Sequence, residues 1–445
     1  TLGMVVGTAV MGKPLPAPVE GDTLTGFATD LTQAQLDAFF AAADPYTNAP
    51  VLLRDASTRI VYDLDRFRRT QQANPNDPTK WQSACAATLA RETHASAQLP
   101  PQGLKIQLSF SYSDGFGREI QKKIQAEAGP AVEGGPVINP RWVGSGWTIF
   151  NNKGKPVRQF EPFFSATHGF EFGVQVGVSP VLFYDPAERV IATLHPNHTY
   201  EKVVFDPWQQ TTYDVNDTCA ARNAQTGDPR TDPDIGGYVA EYFKSQPANW
   251  PTWHAQRIGG ALGQDERNAA LRAEAHADTP TTAHFDALGR PILTIAHNRV
   301  VCAGHDLDGA EEHFATRVEL DIEGNQRSVF DERRLPVNDL PTGALEQRIV
   351  MRYAYDMLGN RIHQGSQEAG ARWILNDVAG KPIRAWDSRG HNFTTTYDAL
   401  RRPTAQTTGG TSADSDPRTL NRDILADKIE YGESLANAEM LNLRT

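Results

Sequence analysis

Hydrophobic and polar residues alternate along much of this chain with the two-residue period of a half-buried strand. Lys105 to Tyr112 alternates over eight residues, and Arg348 to Asp356 and Arg372 to Trp386 do so again. The stretch from Leu104 to Tyr213 reads as strongly β, including Gly173 to Val178, where the alternation uses small residues. Strands resume at Thr282 and continue to about Gln406, with one more near Ile424 to Tyr431 and a short helix from about Ser434. Val51 to Tyr62 alternates well enough for strands, whereas Trp81, Cys85 and Leu89 keep helical spacing in a segment that also reads as a strand from Thr88 to Ser96.

Helical patterns are few. Thr32 and Gln35 can form a capping box, with Leu31 and Leu36 as a hydrophobic staple, so a helix is expected from about 32 to 43, stopping at Asp44-Pro45. After a Pro/Asp/Gly-rich loop from Thr226 to Gly237, helices are predicted at Tyr238 to Phe243, Pro251 to Arg257 and Asp265 to Ala277. They form an insertion, 235–278, between two β regions. Lys13 to Pro18 and Gly409 to Asp416 carry the Pro, Gly, Ser and Asp that break regular structure.

One local pattern returns throughout: an aromatic residue, Asp or Asn, two variable residues, Gly, often a basic or amide residue, and then renewed alternation. Clear copies run Phe150-Asn151 to Gly154, Phe285-Asp286 to Gly289, Tyr355-Asp356 to Gly359 and Trp386-Asp387 to Gly390. Asp114 to Gly117, Asp321 to Gly324 and Asp377 to Gly380 repeat it without the leading aromatic. Tyr184-Asp185, Phe205-Asp206, Phe330-Asp331 and Tyr397-Asp398 keep the aromatic and the acid but lose the Gly. The acid is suited to accept hydrogen bonds from the turn backbone, and Gly to the left-handed conformation at a hairpin exit. The aromatic is expected on the buried face of the strand that ends there. Asp185 to Asp206, Asp356 to Asp377 and Asp377 to Asp398 are each 21 residues apart, room for two short strands and two turns. The chain therefore reads as a repeat protein whose structural turn positions include Asp114, Gly117, Asn151, Gly154, Asp286, Gly289, Asp356, Gly359, Asp377, Gly380, Asp387 and Gly390.

These corners resemble the YD repeat of the RHS family, most fully in Arg352-Tyr353-Ala354-Tyr355-Asp356-Met357-Leu358-Gly359-Asn360-Arg361-Ile362. A narrower resemblance is to the B component of bacterial toxin complexes (Tc toxins). It is carried by Phe110 to Lys123, Arg141-Trp142-Val143-Gly144, Asn151 to Arg158, Asp278 to Asp286, Ile429-Glu430-Tyr431-Gly432-Glu433 and Asn442-Leu443-Arg444. The resemblance favours strand for the second half of 81–94. It implies a mainly β fold, an RHS/YD-repeat β-hairpin array forming part of a large curved shell with a small helical insertion. By that reading 1–103 is a mixed segment with one helix continuing a repeat shell, 104–234 a β-rich YD-like region, and 235–278 the helical insertion. The YD-repeat β region then covers 279–408, and 409–445 supplies a linker, a strand and a short helix.

The resemblance also implies a function. The chain would be a structural shell segment of a secreted insecticidal-type toxin complex, enclosing the cytotoxic C-terminal fragment of a C component (an RHS protein with a variable toxic C-terminus). It would help deliver that fragment through a pore-forming A component. Synthesis would be in the bacterial cytoplasm and the destination extracellular. RHS proteins that cut themselves carry an aspartyl protease motif at the C-terminal end of the shell. None stands here, which fits a B component whose partner holds the cutting residues. The competing reading is a surface-displayed RHS/YD adhesin whose aromatics stack on sugar rings.

Composition narrows the choice. The 445 residues exceed one compact core, so several domains or an elongated array are expected. A formal net charge of −11 argues against a general nucleic-acid binder, and no run of 18 apolar residues is present to span a bilayer. Thr1 to Val10 lacks the features of a signal peptide, and Leu2 to Val6 and Asn442 to Arg444 read as pieces of repeats continuing beyond both ends. Cys85, Cys219 and Cys302 are odd in number and far apart, so no disulfide framework is expected.

Candidate chemistry is thin. His195 and His198 have a spacing that suits zinc but no companion ligands, and His305 to Glu312 is calcium-loop-like without the distal Glu. Neither a Gly-x-Ser-x-Gly elbow nor a phosphate-binding loop occurs, and turn capping explains most Asp residues better than a catalytic carboxylate pair does. No enzyme, cofactor or metal is expected.

Overall fold

The computed structural model describes residues 3–12, 20–336, 345–409, 423–438, 440–441 and 443. Lys13 to Pro18 and most of the Gly409 to Asp416 linker fall outside them. The chain divides into two units, Thr1–Thr199 and Tyr200–Thr445.

The first unit has a conventional core. An antiparallel sheet runs, in order, through Gly7–Thr8, Thr58–Asp63, Ala84–Arg91, Ile106–Ser113, Glu119–Ala126, Arg141–Gly144 and Phe163–Ser165. Alternation does its usual work here: Ile106, Leu108, Phe110 and Tyr112 are buried while the residues between them are not. Helices Gln33–Phe40 and Ala49–Leu53 supply Phe39, Phe40, Leu52 and Leu53 to the same cluster. Phe110 stacks on Phe39 with ring centres 5.9 Å apart and meets Trp142 edge-on at 5.4 Å.

The capping box at Thr32 forms with both reciprocal bonds, from Gln35 N–H to Thr32 Oγ1 at 3.3 Å and from Thr32 N–H to Gln35 Oε1 at 2.9 Å. The helix ends at Phe40, earlier than the expected 43.

Two expectations fail in this unit, and one segment left with two readings proves to be strand. Residues 51–53 are helical, because Pro50 starts a turn and three successive apolar residues cannot alternate. The helical spacing of Trp81, Cys85 and Leu89 is a coincidence of arithmetic: four is also an even number, and Cys85, Ala87 and Leu89 are the buried face of a strand. Gly173 to Val178 forms no strand, since Gly173 (φ 69°) and Gly177 (φ 70°) are left-handed. Helix Arg66–Ala73 has no apolar stripe, buries no residue, and left no periodic signal.

The second unit is built differently. From Tyr200–Phe205 and Gln209–Tyr213 the ladder passes to Thr281–Phe285 and then on, each strand pairing antiparallel with the next, as far as Ile424–Lys428. The helices Gly236–Lys244, Trp253–Arg257 and Gln264–Glu274 are inserted between two strands that pair directly, Thr212 opposite Thr281. Among the described side chains, none between Asp278 and Tyr431 is buried. This stretch of sheet is a single layer, partly open on both faces. The turn-leading aromatics Phe285, Tyr355 and Trp386 are accordingly half-buried and not core residues, and so is Phe150 in the first unit. Phe330-Asp331 lies inside strand Gln326–Pro336 and makes no corner, because the ladder continues past it on both sides, Thr316 and Arg348 both pairing with Asp331. The expected helix from Ser434 is one 3-10 turn, Gly432–Ser434.

Candidate functional site: a column of acid-centred turns

Each corner is closed by one side chain. At Asp286 the backbone N–H donates to the Arg290 carbonyl at 2.9 Å, and Gly289 N–H donates to the Asp286 carbonyl at 3.0 Å. This is a type I turn followed by a left-handed residue, and the register slips by one at Phe285 as a bulge requires. The carboxylate then accepts the N–H groups of Leu288 (2.9 Å) and Arg290 (3.0 Å) on one oxygen and Arg290 Nε (2.7 Å) on the other. The fifth residue therefore has a defined task, to close on the outer carboxylate oxygen, which the sequence pattern registers only as a preference for basic or amide residues.

The same set recurs with different fifth residues. Asp114 takes Arg118, Asp356 takes Asn360 and Asp387 takes His391, each reaching the second carboxylate oxygen at 2.7–3.0 Å. Asp377 accepts the N–H groups of Ala379 and Lys381, and Asn151 those of Lys153 and Lys155. Gly117, Gly154, Gly289, Gly359, Gly380 and Gly390 all have φ between 74° and 84°. In three turns that lack Gly the geometry stays. Glu188 (φ 67°), His198 (φ 71°) and Arg401 (φ 61°) occupy the left-handed position in the turns led by Asp185, His195 and Asp398. The His195/His198 pair is thus a further hairpin corner, with Asn197 holding Thr199. Sequence reasoning missed it because neither the acid nor the glycine is present.

Pairing order fixes where the turns lie. In the second unit, connections alternate between the two edges of an antiparallel ladder. The turns at Asp206, Asp286, Asp321, Asp356, Asp377 and Asp398 consequently share one edge, and the Asp387 turn lies on the other. That explains why Asp387 interrupts the 21-residue spacing. Same-edge turns are two strands, about 10 Å, apart, close enough for long side chains to bridge. They do so repeatedly. Lys381 donates to the Arg401 carbonyl, Arg401 pairs with Asp377, and Arg402 pairs with Glu433. Tyr397 donates its hydroxyl to the Pro382 carbonyl at 2.7 Å, and Tyr431 to the Pro403 carbonyl at 3.0 Å. The Arg402 guanidinium lies 3.9 Å from the Tyr431 ring centre. In the first unit Tyr184 bonds the Pro156 carbonyl at 2.7 Å, and Arg118 lies 4.7 Å from the Phe150 ring.

These bonds set the electrostatics. The Arg290 side chain holds the Asp286 carboxyl below its usual range, and Asn360 does the same for Asp356. Backbone donation from Arg402 does so for Asp398, reinforced by its guanidinium. Burial pushes the Cys85 thiol to about 11 and that of Cys219 to about 12, so neither is a ready nucleophile; Cys302 is exposed. Among the described residues no three His, Cys, Asp or Glu side chains converge as metal ligands do, and no helix is long and apolar enough to cross a membrane. His305 to Glu312 supplies a turn, Asp308 accepting the Cys302 N–H at 2.8 Å, and the first residues of strand Glu311–Leu320.

By sequence the chain matches no family model and no curated protein. Solved structures do match. The TcdB2-TccC3 structure is similar over 96% of this chain and 17% of its own, at 19% identity and a TM-score of 0.51. The same pair without its hypervariable C-terminal region aligns over 96% and 19%, at 17% identity and a TM-score of 0.54. A Tc holotoxin pore of Photorhabdus luminescens aligns over 93% and 17%, at 20% identity and a TM-score of 0.50. The fold is that of the Tc toxin shell. The chain spans about a fifth or less of the length of these Tc chains.

Proposed function

We propose that this chain is a wall segment of a Tc-type toxin complex, the part of a B component that, with a C component, encloses the C component's cytotoxic C-terminal fragment and docks on a pore-forming A component. Its corners are YD repeats in this reading, and the complex is secreted. The observation that carries the reading is the single-layer stretch of ladder from Asp278 to Tyr431, in which no described side chain is buried, together with the Tc fold. An enzyme or small-ligand receptor concentrates chemistry in a cleft over a packed core; a wall spreads identical contacts along its length. The protein then acts by containment and not by catalysis, with no cofactor.

The test is limited proteolysis of this protein co-purified with a C-type partner. Shielding of the partner's C-terminal fragment is expected, and corner variants such as Gly154→Val or Gly289→Val should expose it. A fragment cleaved equally fast with and without this protein would overturn the proposal.

A further inference from the structure

Inside the second unit a lysine is sealed against two acids. Lys202, on strand Tyr200–Phe205, has a side chain with no solvent exposure, and so has Asp232 in the loop before helix Gly236–Lys244. Lys202 Nζ stands 3.0 and 2.9 Å from the two Asp232 carboxylate oxygens and 2.5 Å from Asp234 Oδ2. Tyr200 donates its hydroxyl to Asp232 Oδ2 at 2.9 Å, and the Tyr213 ring lies 4.6 Å from Nζ. Of the three charged groups, Asp234 alone keeps a path to water, with 37% of its side chain exposed.

A buried ion pair has a poor energetic position, because each charge has lost its hydration and the mutual attraction barely repays that loss. Joining the two groups covalently removes both charges at once. A desolvated lysine amine is a competent nucleophile, and enforced proximity replaces the encounter a solution reaction would need.

We propose that Lys202 and Asp232 condense to an intramolecular amide. Nζ attacks Asp232 Cγ; the Nζ–Cγ bond forms and the Cγ–Oδ1 bond breaks. Tyr200, already bonded to Oδ2, stabilises the negative charge that develops on that oxygen in the tetrahedral intermediate. Burial and the neighbouring Asp232 carboxylate raise its hydroxyl pKa, so it remains a donor. Asp234 relays the two protons that Nζ sheds, one before attack and one after it, to the departing Oδ1, so one water leaves for each amide formed and nothing is oxidised or reduced. The product staples the loop carrying the helical insertion to the ladder strand beneath it, a cross-link that unfolding cannot open.

Lys123 provides an internal control. It is equally unexposed and pairs with Glu171, but its other polar contact is the Thr167 carbonyl, at 3.3 Å, and among the described residues no second acid pairs with it to carry the proton. It should stay a free amine.

The experiment is intact-mass spectrometry of the denatured protein, followed by peptide mapping. The expected mass is one water below that of the sequence, with a branched peptide joining Lys202 to Asp232 and unmodified Lys123. Asp234→Ala should fold with both partners in place and lose the cross-link, and Lys202→Arg should restore the full sequence mass. A wild-type mass equal to the sequence, with Lys202 recovered in a linear peptide, overturns the proposal and leaves a static ion pair. So does a water loss that maps elsewhere, or one that survives in Lys202→Arg.

Discussion

The hydroxyl of Tyr397 reaches back fifteen residues to the carbonyl of Pro382, 2.7 Å away. Tyr397 leads one turn and Pro382 opens the strand after the previous same-edge turn, so this bond ties consecutive repeats together. Tyr431 and Pro403 repeat it one step further along. Tyr397→Phe should cost about 0.5–1.5 kcal/mol, the net value of a single hydrogen bond. Tyr397→Phe with Tyr431→Phe should cost more than either alone in urea melts, and an unchanged midpoint in the double variant would remove the tie from the account.

Glycine at the left-handed corner position is a backbone requirement and not a steric one. No heavy atom lies within 4 Å of a Cβ built on Gly289 (φ 74°) or Gly359 (φ 80°). Gly289→Val and Gly359→Val should therefore lose about 1–3 kcal/mol through strain alone. The reverse change at Arg401 (φ 61°) removes strain but also the Arg401–Asp377 pair, so Arg401→Gly should come out near neutral. Chemical denaturation of the three variants separates the two contributions.

Acid should loosen the column of turns. Asp286 and Asp356 titrate below their usual range because Arg290 and Asn360 bond the ionised form. A depressed folded pKa means the stabilisation is fully present above the unfolded value, about 3.9, and is lost as pH falls through the folded one. For these two carboxylates the loss belongs below about pH 4. Asp286→Asn with Asp356→Asn should flatten the acid limb of a circular-dichroism titration, and an acid midpoint identical to wild type would contradict the assignment.

Core truncation should separate the two units. Phe110 has no solvent exposure and packs against Phe39 and Trp142, so Phe110→Ala should cost about 3–5 kcal/mol. Trp386, half-buried and directly opposite Trp373, contributes through a cross-strand pair worth about 0.2–1 kcal/mol together with a modest burial term. Trp386→Ala should be the milder change by calorimetry.

The corners were legible because a type I turn with a left-handed exit admits few residues, and Asp and Gly announce it locally. The capping box at Thr32 and Gln35 and the three inserted helices were legible for the same reason. What the sequence concealed depends on partners distant along the chain. Alternation in 345–397 is indistinguishable from that of a strand with a packed core, so the half-buried state of Tyr355 and Trp386 appears only once no second layer is found over them. The fifth turn residue was visible as a preference, yet its reach to a carboxylate or to the next turn needs the register. Arg66–Ala73 and 49–53 were missed because one lacks an apolar stripe and the other is too short to show one.

Placing the turns of Asp356, Asp377 and Asp398 on one edge, 21 residues apart, has an evolutionary consequence. Duplication or deletion of one 21-residue stretch, such as 356–376, keeps these turns on the same edge and beside one another. Length in such a sheet is a copy number, and tandem rearrangement of the gene can alter it without inventing a new contact.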